Sequence, residues 1–162
     1  MQNVDGVNGI LLSVGSILVV QHAYGEKKYA LPGGGVDKKE GRLAALKREI
    51  EEETGLLVRP SDFRLVAIFG QALGGDVTLY ETLKWEGEIR VTRPEEISWA
   101  GWMSFTEIVE KKDEFPLGYF RLILRYMRYV NMLDPTPFKG KLSDPVEYAP
   151  WGLRDRDQLV VR

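Results

Sequence analysis

The chain of 162 residues carries a net charge of −2 on an ordinary globular composition, 44% hydrophobic, 28% charged and 10% aromatic. That length buries a real core as one domain, and the slightly acidic balance supplies no basic field to grip polymeric nucleic acid. The absence of cysteine excludes disulfides, thiolate metal sites and cysteine nucleophiles, and no stretch reaches the length of a membrane span.

The cysteine-free sequence fits a cytoplasmic location, and the opening residues show neither a basic n-region nor a long apolar run. Two β-rich runs, 10–13 and 16–21, flank Val14 and Gly15 and predict a hairpin. Residues 29–31 run into Pro32 and then Gly33, Gly34 and Gly35, where three glycines let a loop approach a ligand closely. A helix is predicted over 41–54, because Leu43, Leu46, Ile50 and Thr54 share one face at helical spacing, and Gly55 supplies its stop. Residues 56–58 read as the start of a strand that Pro60 interrupts. Residues 63–71 and 77–85 have strand composition and a turn-forming connection. A further strand is expected at 97–103, then a short helix through Glu110 capped by Ser104 or Thr106, then a long helix over 118–132.

This order of elements predicts an α/β fold, a mixed sheet covered by helices, in a domain spanning residues 1–133. From Asp134 onward, prolines 135, 137, 145 and 150 forbid a continuous helix. Residues 134–162 therefore form a Pro-containing C-terminal extension, with 158–161 apolar enough for an edge strand. It reads either as a tail packed on its own domain or as an arm reaching across a homodimer or over the active site.

The chemistry concentrates in residues 34–56. Glu49, Glu52 and Glu53 stand at i, i+3 and i+4 and share one helix face. Carboxylates on one stripe repel one another, and these lie in the last turns of the helix, where the dipole favours cations. A sequence shaped only for stability would not put them there. A hard divalent cation relieves both penalties, since Mg²⁺ takes carboxylate oxygens and keeps waters for a phosphate substrate.

The spacing Gly34-x5-Glu40-x7-Arg48-Glu49-Ile50-x-Glu52-Glu53-x-Gly55-Leu56 resembles the Nudix box, with every fixed position filled. The resemblance implies a Nudix-type α/β/α sandwich with a mixed central β-sheet. It also implies MutT-like hydrolysis, with Mg²⁺ or Mn²⁺ in its place, of a diphosphate bond in a small-molecule substrate. That substrate is a nucleoside diphosphate derivative or a nucleoside triphosphate. By the same resemblance Glu49 and Glu53 are metal ligands, and Glu52 binds metal or helps activate water. Gly34 offers a carbonyl near the metal, Gly33 and Gly35 let the loop fold back, and Arg48 holds a box carboxylate in place. The general base stays open between the box glutamates and Glu96, which lies in an acidic turn before a Trp-containing strand. Tyr29 and Trp102 are candidate substrate-stacking rings, with core packing as the alternative. Glu40, at the helix entry, suits a structural role, and Ala45 on the carboxylate stripe is small enough to leave room above it. The alternative reading is a catalytically silent Nudix-homology domain that binds a nucleotide as a sensor. The intact glutamate set argues against it. Isopentenyl-type diphosphate isomerases share the fold, but their chemistry resembles one that uses a cysteine, which this chain lacks.

Overall fold

Apolar residues alternating along the central strands send side chains to two opposite faces, and each face is covered by helix. The computed structural model describes residues 4–70 and 75–129. The C-terminal extension, its expected edge strand and the last residues of the expected long helix lie outside them. Strand β1 (Gly6–Ser13) turns at Gly15, φ 68, into β2 (Ser16–His22). Then come β3 (Tyr29–Ala30), β4 (Gly33–Gly35) and helix α1 (Arg42–Thr54). The chain continues through β5 (Arg64–Gly70), β6 (Asp76–Thr82), β7 (Ile97–Ser104), α2 (Phe105–Glu110) and α3 (Leu117–Tyr129).

Among the described residues the strands form one seven-stranded sheet in the order β3-β2-β1-β6-β5, with β4 added on β1 and β7 on β2. The β1–β6 pair is parallel and the others are antiparallel, so the sheet is mixed as expected. Leu11, Leu18, Tyr80 and Trp102 pack with Leu46 and Ile50 of α1. Their neighbours Ile10, Ile17, Val19, Leu79 and Met103 pack with Phe105 and Ile108 of α2 and Ile123 and Met127 of α3. That period-two division makes the α/β/α sandwich. Gly9 lets α1 lie close on the sheet, since a Cβ there would sit 3.1 Å from a Leu46 methyl.

The structure corrects the sequence reading in several places. The glycine run forms β4, with Gly35, Gly34 and Gly33 opposite Gly6, Val7 and Asn8. Residues 56–58 form no strand, only a single bridge between Leu57 and Glu86. Strand β6 stops at Thr82, whose hydroxyl accepts from the Lys84 amide at 3.1 Å and so turns the chain. In α1 Ala45 is fully buried along with Leu46, Ile50 and Thr54, whereas Leu43 is half-buried. Ala45 therefore fills space beneath the carboxylates instead of leaving room above them. Ser104 is the cap of α2: its hydroxyl accepts from the Glu107 amide and its own amide donates to the Glu107 carboxylate, a capping box. Gly55 ends α1 at φ 72 and donates to the Glu51 carbonyl at 3.0 Å. Among the described residues no helix is long and apolar enough to cross a membrane.

Candidate active site

Helix α1 lays its carboxylate stripe onto β4, and the absence of side chains on that strand decides how close the two come. Gly33 sits at φ 147, and a Cβ there would fall 2.0 Å from the Val7 carbonyl oxygen. At Gly34 a Cβ would fall 2.5 Å from Glu49 Oε1. Glycine is required at the first position by backbone and at the second by the carboxylate lying over it.

Glu53 is the most buried of the acidic residues here, with 6% of its surface exposed. Its Oε2 accepts a hydrogen bond from the Gly33 amide at 3.0 Å. Burial pushes its pKa up to about 8; the Gly33 amide pulls it down, and the nearby charges of Glu49, Glu96 and Glu52 push it up further. The connection between β3 and β4 is held by Asn8, a buried polar residue that sequence reasoning missed. Its Nδ2 donates to the Leu31 carbonyl at 3.3 Å, the Pro32 carbonyl at 3.4 Å and the Tyr119 hydroxyl at 3.4 Å. The available signal was an amide inside an otherwise apolar strand.

Arg48 ties the loop to the helix. Its Nε and Nη2 donate to the two oxygens of Glu40 at 3.0 and 2.9 Å, and Nη1 donates to Glu49 Oε1 at 2.7 Å. Nη2 also reaches the Gly35 carbonyl at 3.2 Å, and Nη1 lies 3.6 Å from Glu52 Oε2. The paired hydrogen bonds from Arg48 hold the Glu40 carboxyl below the usual range, so this residue serves as the guanidinium's anchor. On the far side of Glu52, Arg93 Nη2 lies 3.0 Å from Oε1, and Arg93 Nη1 lies 3.4 Å from Glu96 Oε1. Glu49, Glu52, Glu53, Glu96 and Arg48 thus gather round one end of α1, against Gly33, Gly34 and Gly35. Among the described residues no three acidic side chains close into a ready-made cation cage; the two guanidiniums hold three of the carboxylates.

The aromatic candidates separate. Trp102 belongs to the α1 side of the sheet, tilted against Trp85 with centroids 4.7 Å apart. Tyr29 lies on the opposite side, 5.4 Å from Phe115 and edge-on to Trp99 at 5.8 Å, with Lys111 Nζ 5.9 Å over its ring. The ring beside Tyr29 that stays open is Trp99, 39% exposed. It lies over Gly101, where a Cβ would come within 2.4 Å of the indole. Sequence reasoning passed over Trp99 in favour of Trp102, and Gly101 is the signal that would have found it.

A carboxylate-striped helix on one face of a mixed α/β/α sandwich is the arrangement that the resemblance to Nudix hydrolases implied. The NUDIX domain family model matches residues 3–125, and the chain belongs to that family. No curated protein matches the chain. Among solved structures, the MutT NUDIX hydrolase from Burkholderia pseudomallei superposes with a TM-score of 0.59 at 27% identity, over 66% of this chain and 87% of that one. A bifunctional NMN adenylyltransferase/ADP ribose pyrophosphatase from Francisella tularensis, complexed with AMP and a Mn ion, superposes with a TM-score of 0.64. At 22% identity, over 79% of this chain and 42% of that one, it shows likeness of fold. The chain is a Nudix pyrophosphohydrolase.

Proposed function

We propose that the chain hydrolyses a diphosphate bond in a small nucleotide, a nucleoside diphosphate derivative or a nucleoside triphosphate, with Mg²⁺ as its cofactor and Mn²⁺ as a substitute. The observation that carries this reading is Glu53, a buried carboxyl raised to about 8 with three other carboxylates acting on it. Such a group keeps its proton at neutral pH until a cation takes the proton's place, and an all-oxygen donor set suits a hard divalent ion. The residues fit it: Glu49, Glu52, Glu53 and the Gly34 carbonyl would hold the metal. When bound, the metal would neutralise diphosphate charge and lower the pKa of a coordinated water.

The remaining work falls to the chain. Arg48 keeps Glu49 turned toward β4 by gripping it and Glu40 together. The Gly33 amide holds Glu53 and the Gly35 carbonyl holds Arg48, so the glycine strand fixes both side chains at the site. The base that accepts the proton of the attacking water is Glu52 or Glu96. Glu52 lies between two guanidiniums with 28% of its side chain exposed, whereas Glu96 meets Arg93 and is 48% exposed; its carboxylate is the more open to an attacking water, which favours Glu96. A nucleotide and a divalent ion are also what the Francisella protein of like fold carries. The cysteine-free sequence suits a reducing cytoplasm.

The test is release of phosphate and mononucleotide from nucleoside triphosphates, sugar nucleotides, ADP-ribose, NADH and dinucleoside polyphosphates, with Mg²⁺ and with Mn²⁺. Glu53→Gln is the blank. Turnover of one class, absent in the blank, supports the proposal and names the substrate. Nucleotide binding without turnover of any class overturns it in favour of a binding-only domain.

A further inference from the structure

Residues 87–96 cross the C-terminal end of α1 as a strap. The Arg90 amide donates to the Thr54 carbonyl at 2.7 Å, and the Thr92 hydroxyl donates to the Glu52 carbonyl. Farther along, the amides of Glu96 and Ile97 donate back to the Arg93 carbonyl at 3.0 and 2.9 Å. The strap lies so near the helix that a Cβ on Gly55 would come within 2.9 Å of the Arg90 carbonyl oxygen. The backbone of Arg93 is therefore fixed on both sides. Its guanidinium reaches Glu52 on the helix with one nitrogen and Glu96 on the strap with another, at 3.0 and 3.4 Å.

We propose that Arg93 is a clamp that fixes Glu96 to the carboxylate stripe of α1 at Glu52, and so is a positioning residue for the hydrolysis. The inference rests on the reading of Glu96 given above. Glu96 stands on an exposed turn, where a glutamate left to itself samples several rotamers. It also faces like charge, since its carboxylate and those of Glu49 and Glu52 all act on Glu53. A lone carboxylate on such a turn swings away from its like-charged neighbours. A guanidinium between two of them removes that repulsion, and its planar fork sets the direction of approach. A lysine at this position keeps the charge and loses the fork. Nothing in the local sequence pattern marks Arg93, because its partners lie 41 residues upstream (93 minus 52) and three residues downstream.

Four proteins test the clamp: Arg93→Ala, Arg93→Lys, Glu96→Gln and the Arg93→Ala/Glu96→Gln double variant. Arg93 is 41% exposed at its side chain, so all four variants are expected to keep the circular dichroism of the folded protein, with only the small loss of stability that goes with removing an exposed ion pair. Arg93→Ala is expected to lower kcat by about 10- to 100-fold, the range for groups that orient a functional side chain, with KM little changed. Arg93→Lys recovers part of the loss, and added guanidinium salt restores part of the Arg93→Ala rate. If Arg93 acts through Glu96, the double variant is no slower than Glu96→Gln. Multiplying effects in the double variant, or wild-type kcat in Arg93→Ala, overturn the proposal. Denaturant unfolding of the same variants in EDTA reads the clamp without any turnover. Coupling between Arg93 and Glu96 supports it, and strict additivity sinks it even where every substrate assay is negative. Full kcat in Glu96→Gln with that coupling present would leave the ion pair as a structural contact and overturn the positioning role of Arg93 together with the role assigned to Glu96.

Discussion

Glu53 and Gly33 form a pair in which one residue's function depends on what the other lacks. A buried carboxyl among like charges is costly, and its one short hydrogen bond comes from an amide that only a glycine conformation presents. Glu53→Gln keeps the volume and removes the charge. It is expected to lose more than about 100-fold in turnover, beyond the loss typical of a merely orienting group, while melting at or above the wild-type temperature. Near-normal turnover would break the metal-ligand assignment. The two glycines beside it separate two kinds of crowding. In Gly33→Ala the new methyl meets the Val7 carbonyl, which cannot move without the sheet. We expect a loss of about 1–3 kcal/mol or more, read as a lower melting temperature. In Gly34→Ala it meets the Glu49 carboxylate, which can swing aside. Stability should then hold while metal affinity and kcat fall. Equal destabilisation of the two variants in melting experiments would contradict that distinction.

Helix α1 is where local sequence and tertiary structure agree most closely, and its C-terminal end shows why agreement stops there. Gly55 has two duties, the left-handed turn at φ 72 and the close approach of the strap. Gly55→Ala is accordingly expected to cost about 1–2 kcal/mol and to loosen the strap, raising amide exchange at Arg90 along with lowering the melting temperature. A lower melting temperature with unchanged exchange there would confine its role to the turn. The helix itself was legible: the apolar period, the carboxylate spacing and the terminal glycine are all local signals. Strand β4 was not, because glycines carry no strand propensity and their pairing is imposed by β1. The hold of Arg48 on Glu40 spans eight residues within one motif and could be suspected. Those of Arg93 on Glu52 and of Asn8 on the Leu31 and Pro32 carbonyls span distant elements and leave no periodic trace. The sequence reading named Trp102 and passed over Trp99, which composition does not distinguish from it. An odd separation on a strand sends them to opposite faces, and only the sheet's packing decides which face holds α1.

At the scale of the molecule, Glu49, Glu52 and Glu96 all act on the buried Glu53 at one end of α1, and this links stability to pH and, on the function proposed, to a metal. Glu53 is the group that carries the linkage. Its ordinary pKa near 4.5 rises to about 8 in the folded chain, so between those values the folded state holds a proton that the unfolded state has released. Stability from this group is fully present below about pH 4.5 and is lost as pH rises through 8. On the metal site proposed above, a divalent ion takes the place of that proton and binds the folded state alone, and would stabilise it by mass action. Its effect must then grow as the competing proton leaves. The melting temperature in EDTA is expected to fall between pH 6 and pH 9, and the increment given by Mg²⁺ or Mn²⁺ is expected to rise over the same interval. Glu53→Gln should flatten both trends, since glutamine neither titrates there nor rewards the ion. A metal increment independent of pH in the unsubstituted protein would mean that the ion does not displace the Glu53 proton. The buried carboxyl would then be a strut for the Gly33 amide, and the donor set would have to be sought among Glu49, Glu52 and Glu96.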